Sequence, residues 1–198
     1  MKTILVTGAA GNIGSSLCSE LLKINKFKVV GVDNLSTGSR SKLPINNDGF
    51  KFFKIDVNDY HQISSLFYSN NFDYVFHFAA VVGVQRTIDN PLSVLGDIDG
   101  IKHILQLSKN SGINRVFFSS SSEVYGEPVS MPQNEETTPL NSRLPYAIVK
   151  NLGESYFKSY YDEHDLPYTI FRFFNTYGPN QSSDFVMIKF IKAALLGN

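Results

Sequence analysis

Tyr146 and Lys150 stand four residues apart in Pro145-Tyr146-Ala147-Ile148-Val149-Lys150. On a helix that spacing puts both side chains on one face, one turn apart. A tyrosine ionises near pH ~10, and a neighbouring ammonium favours its phenolate. A phenolate can take the proton of a hydroxyl as hydride leaves the carbon that bears it. In a chain with 10 tyrosines the spacing alone equally describes a surface pair. Two features favour the chemical reading: the pair opens a helical stretch, and it follows the serine-rich strand end Ser119-Ser120-Ser121-Ser122-Glu123-Val124-Tyr125-Gly126.

A second group of residues suits a bound dinucleotide. Thr7-Gly8-Ala9-Ala10-Gly11-Asn12-Ile13-Gly14 follows the first apolar run and opens the first helical pattern, with glycines spaced G-x-x-G-x-x-G. Glycines there allow a tight turn, let a pyrophosphate approach the backbone and let the helix pack on the strand. The helix N-terminus then offers free N–H groups to the phosphates. Gly8, Gly11, Asn12, Ile13 and Gly14 are therefore candidate cofactor contacts. Asp33 ends the second candidate strand about 20 residues further on, where a carboxylate would meet the adenosine ribose and repel a 2′-phosphate. That favours NAD over NADP, although Arg40 is near enough to serve a phosphate. Asp33 could instead make only an Asx turn with Asn34. Asp56, followed by Val57, suits the adenine amino group, with an N-terminal helix cap as the alternative. A cationic nicotinamide would add to the charge favouring a phenolate at Tyr146.

These residues need a frame. Short apolar, β-branched or aromatic runs at Thr3–Thr7, Lys28–Val32, Lys51–Ile55, Tyr74–Phe78, Arg115–Ser119 and Tyr168–Phe173 read as strands. Helical patterns fall at Ile13–Lys23, Tyr60–Ser69, Leu92–Asn110, Tyr146–His164 and Asp184–Leu196. Apolar strands alternating with helix-length segments predict an α/β fold, a doubly wound parallel (Rossmann) sheet covered on both faces. Leu35–Gly49 and the proline-rich Gly126–Pro145 read as loops. Loops that follow strands lie at the carboxyl edge, where ligands bind.

Lys plus Arg and Asp plus Glu are 18 each, so no net field recruits nucleic acid or an anionic membrane. The one cysteine, Cys18, excludes an internal disulfide framework, suits a reducing cytosol and reads as a buried structural thiol. The N-terminal apolar run is too short for a signal peptide, and no stretch reaches the roughly 18 apolar residues of a membrane helix. A cytoplasmic location is expected, with no membrane, nucleic-acid or metal partner.

Thr7–Gly14, Asp33, Asp56 and His77-Phe78-Ala79-Ala80 together resemble the extended short-chain dehydrogenase/reductase family, and within it the nucleotide-sugar epimerases, dehydratases and decarboxylases. The resemblance implies that Phe78, Ala79 and Ala80 pass under the nicotinamide, whereas His77 reads as a packed strand residue. It implies Ser121 as the catalytic serine, orienting the sugar hydroxyl against Tyr146, with Lys150 completing the set. Glu123 matches an acid/base or sugar-holding position of the decarboxylases and dehydratases. Dehydratases carry an Asp where this chain has Ser122, and a serine hydroxyl is too weak an acid for that role. Phe171-Arg172-Phe173-Phe174-Asn175-Thr176-Tyr177-Gly178-Pro179 is similar to a family strand end whose asparagine, here Asn175, contacts the sugar diphosphate. Arg172 is expected in a structural or cofactor-side role. Arg86 resembles a position facing the sugar, with a solvated loop as its alternative. Ser121 and Ser122 join Arg86 and Asn175 as substrate candidates.

Where relatives have Asn three residues ahead of the glycine matching Gly100, this chain has Asp97, a charge able to change the titration of Lys150; a local alignment displaced by one residue is the alternative. The resemblance further implies transient oxidation at sugar C4 by NAD, as in a UDP-sugar 4-epimerase. UDP-glucuronate decarboxylation or dehydration is the alternative, and a noncatalytic NAD-binding module is the alternative of another class. Family members are longer, so residues 1–179 are expected to be the NAD-binding domain and 180–198 the start of a truncated substrate-binding region. Pairing of Leu92–Asn110 and Tyr146–His164 into a four-helix bundle would give a homodimer.

Overall fold

The computed structural model describes residues 1–183 and 185–197. Six strands form one parallel sheet: β1 Lys2–Thr7, β2 Phe27–Asp33, β3 Phe50–Lys54, β4 Tyr74–His77, β5 Arg115–Ser121 and β6 Tyr168–Phe173. Their order is β3-β2-β1-β4-β5-β6, so the chain winds outward from β1 in one direction and then, from β4, in the other. The expected doubly wound sheet is present. Its reversal point, between β1 and β4, is where such sheets open a ligand crevice.

The helices are α1 Asn12–Lys23, α2 Tyr60–Ser69, α3 Val84–Asp89, α4 Pro91–Asn110, α5 Pro145–His164 and α6 Val186–Leu196. Alternation along the strands divides the core into two layers. Leu5, Val30, Val32, Val75, Val116 and Phe118 pack with residues of α2, α4 and α5. Ile4, Val6 and Val29 pack on the other face with Cys18 and Leu22 of α1. Beyond α1 that second face carries a ladder of aromatic rings. Phe76 stacks on Phe117 with centroids 4.2 Å apart, and Phe117 on Phe171 at 6.1 Å.

Several boundaries differ from expectation in ways that matter to the site. β5 runs two residues further, through Ser121, because Ser119, Ser120 and Ser121 pair with Phe171, Arg172 and Phe173 of β6. The serines are thus strand residues rather than a loop entry. The six-residue α3 was not anticipated, and Asp184, the expected start of the last helix, lies outside the described residues. Asp59, not Asp56, caps α2, its Oδ1 accepting from the His61 and Gln62 amides at 2.9 and 3.2 Å. No helix among the described residues is long and apolar enough to cross a membrane.

Candidate active site at the carboxyl edge of the sheet

The glycine turn joins β1 to α1. Gly8 has φ +68°, and a Cβ there would fall 2.7 Å from the backbone of Phe78 and Ala79. A Cβ at Gly14 would fall 2.2 Å from the Gly8 carbonyl oxygen. These glycines are therefore required by close backbone approach as well as by any ligand. Gly11 is the N-cap of α1 and supplies no side-chain cap, which leaves first-turn N–H groups of the kind that bind phosphate. Asn12 and Ile13 open the helix at that end.

Asp33 is buried, and its two oxygens brace the turn. Oδ2 accepts from the Ala10 amide at 2.9 Å and Oδ1 from the Leu35 amide at 2.8 Å. The Asx turn is therefore present together with a tie to the glycine turn. Each oxygen keeps a lone pair for a ribose hydroxyl. Arg40 lies over the Phe52 ring at 5.7 Å, which gives its guanidinium an aromatic seat. The Asn34 amide donates to Asp56 Oδ2 at 3.1 Å, joining two residues of the expected adenosine side. Asp56 Oδ1 accepts from the Asn58 amide, so its cap alternative is replaced by a turn. Val57 is a core residue whose carbonyl meets His103 Nδ1 at 3.1 Å. A dinucleotide fits this edge: the glycine cradle, the uncapped helix start and the Asp33 carboxylate follow one another across it.

The strand β4 delivers the next segment. Thr7 Oγ1 accepts from the Phe78 and Ala79 amides, both at 3.2 Å, and lies 2.9 Å from His77 Nδ1. With both acceptor sites of the hydroxyl taken, its hydrogen goes to Nδ1, so the imidazole is neutral. Burial, helped by the charge on Lys150, pushes His77 down to about 3. It is a packed strand residue, as expected. Ala80 and Val81 continue toward α3, where Arg86 donates to the Val82 carbonyl at 3.3 Å.

The reactive groups meet where β5 ends and α5 begins. Pro145 occupies the first turn of α5, where its missing N–H costs nothing, and Tyr146 and Lys150 follow on one face. Lys150 is 3% exposed and donates to the Ser119 carbonyl at 2.6 Å. Its Nζ lies 4.9 Å from the Phe118 ring centre and 5.6 Å from that of Tyr146. Burial brings Lys150 down to about 8, against an upward pull from Asp97 and Glu154. Burial also raises Tyr146, and its hydrogen bond with the Ser121 hydroxyl lowers it, while Asp97 and Glu123 raise it further. Desolvation thus sets the direction at Tyr146, opposite to the drop expected from a neighbouring ammonium. Ser121 Oγ also accepts from the Glu123 amide at 3.2 Å. Glu123 is exposed on the turn Ser122–Tyr125.

Asn175 is exposed two residues beyond Phe173, which pairs with Ser121. Arg172 is structural: it forms a two-pronged pair with Glu154 of α5, at 3.0 and 2.7 Å, and donates to the Tyr125 hydroxyl and the Glu135 carbonyl, each at 2.9 Å. Glu154 also accepts from Ser120. This knot ties β6, α5 and the loop after β5 into one wall. Sequence reasoning missed Glu154, Ser120 and Asn58; a buried Glu four residues past Lys150 on the same helix face was the available signal.

Fold and site together define a doubly wound dinucleotide-binding protein of the short-chain dehydrogenase/reductase type. Residues 4–198 match the NAD dependent epimerase/dehydratase family, and the chain belongs to it. It is 35% identical over 181 residues to a putative UDP-glucose 4-epimerase of Methanocaldococcus jannaschii, covering 90% of this chain and 57% of the relative. Among solved structures, a UDP-N-acetylglucosamine 4-epimerase from Methanobrevibacter ruminantium in complex with UDP-N-acetylmuramic acid superposes with a TM-score of 0.91 and 36% identity. That similarity covers 100% of this chain and 64% of that one. A UDP-glucose 4-epimerase of Thermus thermophilus in complex with NAD gives a TM-score of 0.84 at 31% identity, over 91% and 58% of the two chains. The chain thus spans about three fifths of the length of these relatives.

Proposed function

We propose that this protein is a cytoplasmic NAD-dependent nucleotide-sugar epimerase of the UDP-sugar 4-epimerase type. The observation that carries the reading is the convergence of Ser121, Tyr146 and Lys150 at the end of the crevice that the glycine turn opens. The family relation and the epimerases it superposes on support the same substrate class. NAD, held by Gly8, Gly11, Asn12, Ile13 and Gly14 with Asp33, Asn34 and Asp56 on its adenosine side, would accept hydride from sugar C4 and later return it. The cationic ring would also favour the phenolate that burial disfavours in Tyr146.

The remaining steps belong to the chain's own residues. Tyr146 Oη takes the proton of the sugar O4 hydroxyl and gives it back when the carbonyl is reduced. The Ser121 hydroxyl, already bonded to Tyr146, holds that same sugar oxygen in line. Lys150, clamped by the Ser119 carbonyl, keeps a positive charge beside the phenol. Phe78, Ala79 and Ala80 pass under the nicotinamide end of the cofactor, where their apolar side chains would exclude water without competing for the proton. Arg86, Ser122 and Asn175 face the sugar and its diphosphate. Residues 1–179 constitute the NAD-binding domain and 180–198 open the substrate-binding region. Two copies pair through α4 and α5.

Glu123 beside the site keeps decarboxylation of a UDP-glucuronate as the second reading. Incubation with NAD and UDP-glucose, UDP-N-acetylglucosamine or UDP-glucuronate, followed by NMR, separates the outcomes. An inverted C4 centre supports epimerisation, and loss of CO₂ supports decarboxylation. Tight NAD binding without turnover of any nucleotide sugar leaves a noncatalytic module.

A further inference from the structure

Glu154 takes no part in the proposed reaction, yet it lies one turn beyond Lys150 on the face of α5 that carries Tyr146. It is buried, and its partners come from the sheet. Oε1 accepts from the Ser120 hydroxyl of β5 and, at 3.0 Å, from Arg172 Nε of β6. Oε2 accepts from the second prong of Arg172 at 2.7 Å. Ser120 and Arg172 are partners across the β5–β6 ladder, so one carboxylate holds both strands. The two-pronged pair with Arg172 already answers the charge of a buried carboxylate. The bond from Ser120 adds no charge to that balance; its effect is geometric.

Ser120 stands between two contacts of the reactive centre. The Ser119 carbonyl accepts from Lys150 at 2.6 Å, and the Ser121 hydroxyl is hydrogen-bonded to Tyr146. Three successive strand residues thus meet three helix residues spaced by four: Ser119 with Lys150, Ser120 with Glu154, Ser121 with Tyr146. The helix lies close at this level, since a Cβ on Gly153 would fall 2.7 Å from the Phe118 ring. The strand end itself is weakly held. Past Phe118 β5 keeps a ladder partner only in β6, and no β-branched side chain stiffens Ser119–Ser121. Beyond Ser121 the chain turns at once into Ser122–Tyr125. Arg172 reaches that turn as well, donating to the Tyr125 hydroxyl at 2.9 Å.

We propose that Glu154 is a positioning residue: through Ser120 it fixes α5 on the end of β5, so that Tyr146 meets Ser121 while Lys150 meets the Ser119 carbonyl. Arg172 serves it twice. It balances the carboxylate and holds β6 and the turn after β5 to the same point. Loss of the Ser120 bond leaves the Arg172–Glu154 pair intact but frees the serine end of β5 to shift against the helix. Transfer between fixed groups is sensitive to such shifts, and a misplacement of ~1 Å can cost about 10²-fold in rate. The effect on turnover rests on the proposed function; the contacts that position the helix do not.

Glu154→Ala would leave Arg172 without its ion-pair partner and endanger the fold, so the test uses Ser120→Ala, which removes only the hydroxyl, and Ser120→Thr, which restores it. Kinetics are read with NAD and the nucleotide sugar that the parent turns over, at a temperature where each variant is folded. Ser120→Ala is expected to lower kcat about 10–10²-fold with KM and NAD affinity within about twofold of the parent. Ser120→Thr recovers most of that loss. An unchanged kcat in Ser120→Ala overturns the proposal, and so does a loss of NAD affinity that matches the loss of kcat. A second readout needs no turnover: the Cζ resonance of Tyr146 in NMR, assigned with Tyr146→Phe. Ser121→Ala, which removes the hydrogen bond itself, sets the direction of its shift. Ser120→Ala is expected to move the resonance the same way, and an unmoved resonance overturns the proposal. In the unsubstituted chain the Ser120 hydroxyl proton must exchange slowly and lie against the Glu154 methylene protons. Absence of that contact overturns the proposal even if Ser120→Ala does not fold. A parent that turns over no nucleotide sugar sinks the functional reading, and the Tyr146 resonance still decides the positioning.

Discussion

Lys150 and His77 are buried and Tyr146 is half-buried, and the titration of each is shifted by desolvation first and by a named neighbour second. Replacing Tyr146 by Phe removes the proton carrier and little volume. Turnover is expected to fall by about 10²–10⁴-fold, with NAD affinity, measured by calorimetry, within severalfold of the parent. His77 gives a prediction about stability. Its folded pKa of about 3 lies below the ordinary value of 6.5, so on acidification the unfolded chain binds a proton first. Stability is therefore present above pH ~6.5 and is lost as pH falls toward ~3, by up to about 1.4 kcal/mol per pH unit. Urea unfolding midpoints across that range should fall more steeply for the parent than for His77→Gln. Tyr146, Lys150 and His77 were legible in the sequence because spacing and strand position constrain them. The net direction of the Tyr146 shift was not, because burial is set by segments distant in the chain, which no local spacing reveals.

The elements are held at the carboxyl edge by backbone contacts that glycine permits and by one ion-pair knot. Gly14→Ala would drive a methyl into the Gly8 carbonyl and should cost about 2 kcal/mol or more, together with most NAD affinity; thermal melting and calorimetry read the two effects. Arg172→Gln leaves Glu154 buried without its partner and releases the loop after β5. A loss of about 3 kcal/mol is expected, read from denaturant unfolding. The glycine turn was readable because its spacing encodes a turn and a helix start together. The extension of β5 was not, since serines are poor strand formers and only pairing with β6 keeps Ser120 and Ser121 extended. Asp56 and Asp59 both suit a helix cap locally, and only the geometry shows that Asp59 takes it. The short α3 has too few residues to show a period.

Across the whole molecule the two faces of the sheet differ. α2, α4 and α5 bury one face, whereas α1 covers only part of the other. The rings of Phe76, Phe117 and Phe171 are half-buried there. α6 has no buried residue, and Phe190 and Leu195 are 67% and 81% exposed. Exposed apolar surface of this kind drives association. Phe190→Ser with Leu195→Ser should therefore reduce concentration-dependent self-association, seen by sedimentation, while leaving the melting temperature close to the parent's. The doubly wound topology was legible from strand and helix alternation. The uneven cover of its two faces was not, because the apolar pattern of α6 reads equally as a buried helix.

The central claim is that the carboxyl edge of this sheet is an NAD site with a working phenol at its reactive end. The most direct measurement is calorimetric titration of the chain with NAD and NADP, repeated with Asp33→Asn. The account predicts one NAD per chain, binding at least about tenfold tighter than NADP, and narrowing of that preference in Asp33→Asn. No binding of NAD, or a preference for NADP in the unsubstituted chain, would contradict it.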